Sequence, residues 1–201
     1  MLFKTFRYIF VPAIALLLTM QIYVWLNNNF LNPKEETKSS GEASIGGAFT
    51  LTDQNGEKVS NTDFSNKLML VYFGFTNCPM ICPTDVAIIS QAINELGDNA
   101  EGVQPIFITI DPERDTPEQI KTFLSNFHPS IIGLTGTSDE IASVANAYRI
   151  FYKRAEAEDL QEYLMDHSAY MYLMDKDGKY ITHFRHDQPF EEIAAGIKKH
   201  L

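Results

Sequence analysis

A buried strand that leads directly into a pair of cysteines and then a helix constrains this chain more than any other stretch. Residues 68–75 are Leu-Met-Leu-Val-Tyr-Phe-Gly-Phe, a continuous apolar run typical of a strand that is covered on both faces. Cys78 and Cys82 follow, and an apolar-periodic segment from about Pro83 to Leu96 predicts a helix. The cysteines therefore lie on a strand-to-helix turn, where free backbone N–H groups favour negative charge.

The cysteine pair points to thiolate chemistry. The chain has only two cysteines, and a spacing of four brings both sulfurs within one helical turn. At that distance they can share a metal ion or close a disulfide. A buried and inert pair would not account for two cysteines in one turn at a strand end.

The rest of the chain predicts an α/β fold with a mixed sheet, because strands alternate with helices and the chain then closes with a hairpin and a helix. Residues 103–110 form a second buried strand, and Thr116 and Pro117 mark the start of a helix that runs to about Phe127. Asn55-Gly56 predicts a hairpin turn before the first buried strand. The remaining predicted elements are a strand at 131–134, a helix at 138–148, strands at 168–174 and 180–184, and a helix at 189–200.

The N-terminal segment predicts a membrane anchor. Residues 8–26 carry no formal charge, and at about 1.5 Å per residue they nearly span a hydrocarbon core of about 30 Å. The predicted organisation is a cytoplasmic N-terminus at 1–7, a transmembrane helix at 8–26, a flexible tether at 27–44 and a globular domain at 45–201. A cleaved signal peptide is the alternative, but no small-x-small cleavage site follows the segment.

Charge and compartment narrow the function further. The net charge of −10 argues against nucleic-acid binding. Lys4 and Arg7 favour a cytoplasmic N-terminus, so we expect a bacterial inner-membrane protein whose domain lies in the periplasm. That compartment is oxidising, and Cys78 and Cys82 could be found there as a disulfide.

A metal site needs a third ligand beyond the two cysteines, and histidine is the residue type that can supply it. His167 is the best candidate because it lies where a strand begins, and sites in open α/β sheets are built at strand ends. Two thiolates and an imidazole suit copper(I) and tolerate zinc, whereas a closed structural zinc site takes four protein ligands. The other histidines are interpreted as capped or solvent-facing: His128, His183, His186 and His200.

Three stretches together resemble the Sco/SenC family of copper chaperones for cytochrome c oxidase assembly. They are residues 72–83, residues 110–117 (Ile-Asp-Pro-Glu-Arg-Asp-Thr-Pro) and residues 166–173 (Asp-His-Ser-Ala-Tyr-Met-Tyr-Leu). The resemblance implies a thioredoxin-like fold, with an N-terminal β-hairpin extension, that binds a copper ion (Cu⁺ and also Cu²⁺) through Cys78, Cys82 and His167. It further implies delivery of copper to the dinuclear copper A centre of cytochrome c oxidase subunit II, or reduction of that subunit's thiols. The resemblance does not identify the protein that donates the copper.

The main alternative is a membrane-anchored thiol–disulfide oxidoreductase, with Cys78 and Cys82 as its redox-active pair and no carrier role. Its usual motif has two residues between the cysteines, whereas three lie here, and no proline occurs between Pro129 and Pro189. A peroxidase and a calcium loop at Asp175-Lys-Asp-Gly fit less well, and the latter is interpreted as a hairpin turn. Asp111 and Asp115 flank Pro112 after the second buried strand and could tune the site or cap the helix that follows; for Asp115 capping is the favoured interpretation.

Overall fold

The computed structural model describes residues 17–23, 45–155 and 163–201. The chain divides into two units, Met1–Ala43 and Ser44–Leu201. Residues 17–23 are helical with exposed side chains, and they are the described part of the predicted membrane segment. The predicted segments 1–7 and 27–44 lie outside the described residues. Among the residues that are described, no helix is both long enough and apolar enough to cross a membrane.

The second unit is built on a mixed sheet. The strands of this unit are β1 (Thr50–Asp53), β2 (Lys58–Ser60), β3 (Leu68–Gly74), β4 (Val103–Thr109), β5 (Ile132–Thr135), β6 (Tyr152–Arg154), β7 (Met165–His167), β8 (Tyr170–Met174) and β9 (Tyr180–Arg185). Seven of them form the main sheet in the order β2-β1-β5-β4-β3-β8-β9, and β6 and β7 form a separate two-stranded sheet. The helices are α1 (Ile81–Leu96), α2 (Pro117–Leu124), α3 (Ser138–Ala147) and α4 (Phe190–Lys198).

The centre of the sheet is apolar on both faces, as the sequence predicts. β3 and β4 run parallel, with Leu68 opposite Val103, and every residue of both strands is buried. β8 runs antiparallel to β3, with Tyr72 opposite Met171. Helices cover the sheet, and this explains why the central strands are continuous apolar runs rather than alternating ones. The register also brings the start of β8 beside the end of β3.

The helix starts follow from local capping chemistry. The Thr116 hydroxyl accepts a hydrogen bond from the Gln119 N–H at the start of α2, and Pro117 is the first helical residue, which confirms the predicted start. α2 ends at Leu124, three residues before the predicted end. α1 begins at Ile81 rather than Pro83, so Cys82 belongs to its first turn. Pro83 is accepted there because first-turn N–H groups have no partner within the helix.

Two tight turns also match their sequence signals. Gly56 has φ of 86° in the β1–β2 hairpin, a conformation that glycine adopts without strain. The β8–β9 turn has Gly178 at φ of 77°, and an Asp175 carboxylate oxygen accepts hydrogen bonds from the N–H groups of Asp177 and Lys179. The carboxylate is therefore occupied by the turn itself, in agreement with the hairpin interpretation.

Candidate metal and thiol site

The site lies at the carboxyl end of β3, where three separate elements meet. The chain leaves β3 at Gly74, passes Cys78 in a loop and enters α1 with Cys82 in the first turn. His167 is the last residue of β7, and three residues later, at Tyr170, the chain enters β8, the neighbour of β3. The structure therefore brings together the three residues that the sequence singles out.

The distances within the site are short. The Cys82 N–H donates to Cys78 Sγ over 3.4 Å, and Cys82 Sγ lies 3.6 Å from His167 Nε2. His167 Nδ1 lies 3.1 Å from the Ser168 carbonyl oxygen. A carbonyl can only accept, so Nδ1 carries the proton of the neutral ring and Nε2 keeps a lone pair directed at the Cys82 sulfur.

The two thiols differ strongly in acidity. The pKa of Cys78 is lowered to about 5, first because the Cys82 thiol donates to its sulfur and then through the backbone N–H groups of the helix start. The same contact raises the pKa of Cys82 well above its usual value, and burial raises it further. Burial lowers the pKa of His167. At neutral pH the metal-free site thus holds one thiolate, one thiol and a neutral imidazole.

A cavity of about 610 Å³ opens onto two of these three side chains. Cys78 and His167 line it, whereas Cys82 is fully buried beneath the surface. The edge of the Phe75 ring packs against His167, with ring centroids 6.0 Å apart. An ion or a partner thiol can therefore reach Cys78 and His167 from solvent, and reaches Cys82 only past them.

The thiol asymmetry predicts the alkylation of the metal-free chain. Iodoacetamide should modify Cys78 with a rate that reaches half its plateau near pH 5 and should leave Cys82 unmodified, since only an exposed thiolate reacts. The measurement is mass-spectrometric mapping of alkylation between pH 4 and 9. The chain unfolded in urea serves as the control, with both thiols titrating near about 8.5. A midpoint near 8.5 for Cys78 in the folded chain would contradict the assignment.

The other histidines lie elsewhere or bind other groups. His128 Nδ1 lies 2.8 Å from the Ser130 hydroxyl, and His183 Nδ1 lies 2.6 Å from the Tyr180 hydroxyl. His186 lines the same cavity as Cys78, as does Arg185. Within residues 17–23, 45–155 and 163–201, no three His, Cys, Asp or Glu side chains already stand in the arrangement of a formed metal site. To share one ion, Cys78, Cys82 and His167 would therefore have to move relative to one another.

The interpretation of Asp115 as a helix cap is wrong. Its side chain is fully buried and accepts hydrogen bonds from the Thr76 N–H, the Thr76 hydroxyl and the Thr109 hydroxyl. Burial raises its pKa. The cap of α2 is Thr116 alone, so Asp115 joins the cysteine-bearing loop to the end of β4.

Sequence analysis missed Asp85, which lies three residues beyond Cys82 on the buried face of α1. It is only 1% exposed, and burial raises its pKa to about 6. The Tyr72 hydroxyl lies near both Asp85 and Cys82, and burial raises the pKa of this tyrosine too. The sequence did carry a signal for Asp85, because a residue three positions after Cys82 in a helix lies on the same face as Cys82.

Together the fold and the site define a class: a thioredoxin-like domain with a thiol pair at the start of its first helix and an imidazole beside it. The sequence profile described as SCO1/SenC matches residues 37–201. The chain belongs to the SCO1/SenC family.

Individual relatives agree with this assignment. A SCO2-like protein of Rickettsia prowazekii is 45% identical over 155 residues, which cover 77% of this chain and 76% of that protein. The mitochondrial SCO1 homolog of Homo sapiens is 38% identical over 84% of this chain. The match covers 56% of the human protein, so this chain spans about half the length of that relative.

Solved structures show the same architecture. ScoI of Bradyrhizobium japonicum with copper bound is 44% identical, with a TM-score of 0.74 over 79% of this chain and 100% of that one. BsSco, a member of the Sco family of cytochrome c oxidase assembly proteins in which a disulfide switch was identified, is 27% identical, with a TM-score of 0.63 over 78% of this chain and 92% of that one. The sheet with its flanking helices is therefore the Sco arrangement of the thioredoxin-like fold.

Proposed function

We propose that this chain binds copper through Cys78, Cys82 and His167 and serves the assembly of cytochrome c oxidase. The observation that carries the proposal is the position of His167 Nε2, which lies 3.6 Å from Cys82 Sγ at the same cavity that Cys78 lines. Relatives with copper bound support the choice of metal. Copper is the cargo in this proposal, and the three side chains hold it between its donor and its destination.

The donor set fits copper(I). Thiolates are soft ligands and imidazole is a borderline one, and three of them satisfy an ion that accepts low coordination numbers. Both cysteines must be deprotonated to bind, so copper displaces the proton that Cys82 holds in the metal-free site. The His167 ring is already neutral and oriented by its hydrogen bond to the Ser168 carbonyl oxygen, which is the usual way that a ligating histidine is fixed.

The proposed destination is the dinuclear copper A centre of cytochrome c oxidase subunit II. The anchor at residues 8–26 would hold the domain at the bacterial inner membrane, with residues 45–201 in the periplasm. Family membership and the uncharged N-terminal segment support this placement. A tethered domain meets a membrane-bound partner at a raised effective concentration.

A second function, reduction of the partner's thiols, is favoured by the unequal acidity of the pair. The accessible Cys78 is a thiolate at neutral pH, and the buried Cys82 is a protonated thiol beside it. This is the arrangement of a dithiol reductase, in which the exposed thiolate attacks a disulfide and the buried thiol resolves the mixed disulfide.

An anaerobic copper(I) titration of the reduced full-length chain, against a chromophoric chelator, tests the carrier function. We expect one tightly bound copper per chain. Cys78→Ser and Cys82→Ser should each weaken binding by at least about a hundredfold, because loss of a ligand exceeds the 10–100-fold effect of losing an outer partner. His167→Ala should weaken it by about tenfold or more.

His128→Ala is the matched control, since it removes a histidine that binds Ser130 and lies outside the site. Its affinity should equal that of the wild type. Weak binding that does not respond to His167→Ala would reject the three-ligand site. It would leave the dithiol reductase as the function, to be measured by its reduction potential.

A further inference from the structure

We infer that the loop formed by residues 111–115 positions the two halves of the site relative to each other, with Asp115 holding the cysteine-bearing loop and Asp111 holding the chain that leads to His167. This inference deepens the proposed function, and only its copper measurement depends on that function. The residues concerned are positioning residues, because none of them contacts the proposed ligands directly.

On the cysteine side, the positioning contact is made by the buried carboxylate of Asp115. Asp115 Oδ2 accepts from the Thr76 N–H at 3.0 Å, and Asp115 Oδ1 accepts from the Thr76 hydroxyl at 2.6 Å. Thr76 lies two residues before Cys78, so the bonds fix the point from which the cysteine loop departs. The Asp115 carboxylate makes no contact with solvent, and buried hydrogen bonds to a charged group are among the stronger ones.

On the histidine side, the positioning contact is made by the carboxylate of Asp111. The Tyr163 hydroxyl donates to Asp111 Oδ1 at 2.6 Å, and Arg114 Nη1 donates to the Tyr163 carbonyl oxygen at 3.0 Å. The guanidinium groups of Arg114 and Arg154 lie 3.6 and 3.4 Å from the centroid of the Tyr163 ring. Tyr163 lies four residues before His167, and Arg154 belongs to β6, the partner of β7.

The hydrogen bonds made by Asp115 and Asp111 are connected through the Thr109 hydroxyl and through the backbone turn at residues 111–115. The Thr109 hydroxyl donates to Asp115 Oδ2 at 2.6 Å and accepts from the Asp111 N–H at 2.9 Å. The Asp115 N–H in turn donates to the Asp111 carbonyl oxygen at 2.9 Å. A continuous set of buried or half-buried hydrogen bonds therefore runs from Thr76 to Tyr163.

This arrangement explains why one loop bears on a site built from distant parts of the chain. Cys82 and His167 are 85 positions apart, and His167 lies on a two-stranded sheet that does not pair with the main sheet. The main sheet fixes the cysteine side through β3. The 111–115 loop supplies a series of hydrogen bonds from that side to Tyr163, which precedes β7.

Amide hydrogen exchange of the metal-free chain tests the positioning directly. In Asp115→Asn, the Thr76 amide should exchange at least about tenfold faster relative to the Val71 amide of β3, which corresponds to the loss of one hydrogen bond. In Tyr163→Phe, the amides of β7 should show the same selective increase. Asp175→Ala removes two side-chain hydrogen bonds from the β8–β9 turn and is the control, with no selective change at Thr76 or β7.

A uniform increase at Thr76 and Val71, or no increase at all, would overturn the inference, because a residue that only stabilises the fold changes all amides together. If Asp115→Asn does not fold, Thr76→Val and Thr76→Ser decide. The valine should raise exchange at Cys78 selectively, and the serine should restore it by keeping the hydroxyl. Equal exchange rates at the Cys78 amide in Thr76→Val and Thr76→Ser would overturn the proposed role of the Asp115–Thr76 hydrogen bonds.

Copper(I) affinity adds the functional measurement. Asp115→Asn and Tyr163→Phe should each lower it by about tenfold or more, with Asp175→Ala unchanged. Wild-type affinity in both variants would overturn the positioning of the ligands. A wild-type chain that binds no copper would reject the proposed function instead, and the exchange measurement would still decide the role of the loop.

Discussion

Oxidation of Cys78 and Cys82 to a disulfide should lower the copper(I) affinity of this chain by at least about a thousandfold. A disulfide sulfur carries no charge and has no proton to exchange for a metal, so both thiolates are lost as ligands at once. Loss of an outer partner alone costs 10–100-fold in affinity, and loss of two direct ligands should cost more. His167 would remain as a single imidazole donor.

The measurement is the chelator competition carried out anaerobically on the reduced chain and on the chain oxidised with diamide. The sulfur of Cys78 already receives a hydrogen bond from the Cys82 N–H over 3.4 Å, so the two residues are close enough to pair. The Cys78→Ser, Cys82→Ser double variant is the control, and diamide should not change its affinity. Equal affinity of the oxidised and reduced wild type would refute the exclusion of metal by the disulfide.

Phe73→Ala should destabilise the folded chain by about 3–5 kcal/mol, the usual cost of truncating a fully buried phenylalanine. Phe73 is completely buried near the carboxyl end of β3, and its ring packs on Tyr148 with centroids 5.3 Å apart. Truncation loses the transfer free energy of the ring and leaves a cavity between β3 and the end of α3. The total free energy of unfolding of a domain of this kind is about 5–15 kcal/mol. The expected loss is therefore a large part of its stability.

Urea unfolding followed by circular dichroism measures this effect as a fall in the unfolding midpoint. Phe151→Ala is the matched control, because it removes the same ring from a position that is 63% exposed. Its free energy of unfolding should change by less than about 0.5 kcal/mol. Similar losses in the two variants would show that burial in β3 does not account for the stability of the sheet.

The elements that carry the cysteines were predictable because local chemistry specifies them. The apolar runs of β3 and β4 have no helical periodicity, and Thr116 with Pro117 marks a helix start by capping alone. β6 and β7 were not predicted as a pair, because three-residue strands that contain Lys153, Arg154 and Asp166 show no apolar alternation. β6 and β7 pair through contacts between distant parts of the chain, which no local pattern predicts. The only sequence signal for this region is the resemblance of residues 166–173 to a family.

The contents of the site were predictable to different degrees. Cys78 and Cys82 follow from their spacing, and His167 follows from its place just before a predicted strand, although in the structure it is the last residue of β7. The roles of Asp111 and Asp115 could not be read from the sequence, because a carboxylate before a helix is far more often a cap than a buried acceptor. Only the position of Thr76 beside Asp115 distinguishes the two, and that contact joins residues 39 positions apart.

The separation of 85 positions between Cys82 and His167 means that only the folded chain presents the proposed ligands as one set. In an extended chain the two cysteines are close in sequence, but the imidazole is distant. By mass action, copper at a hundred times its dissociation constant would stabilise the folded form by about 2.7 kcal/mol. Under the proposed function, loading of the complete site therefore follows folding.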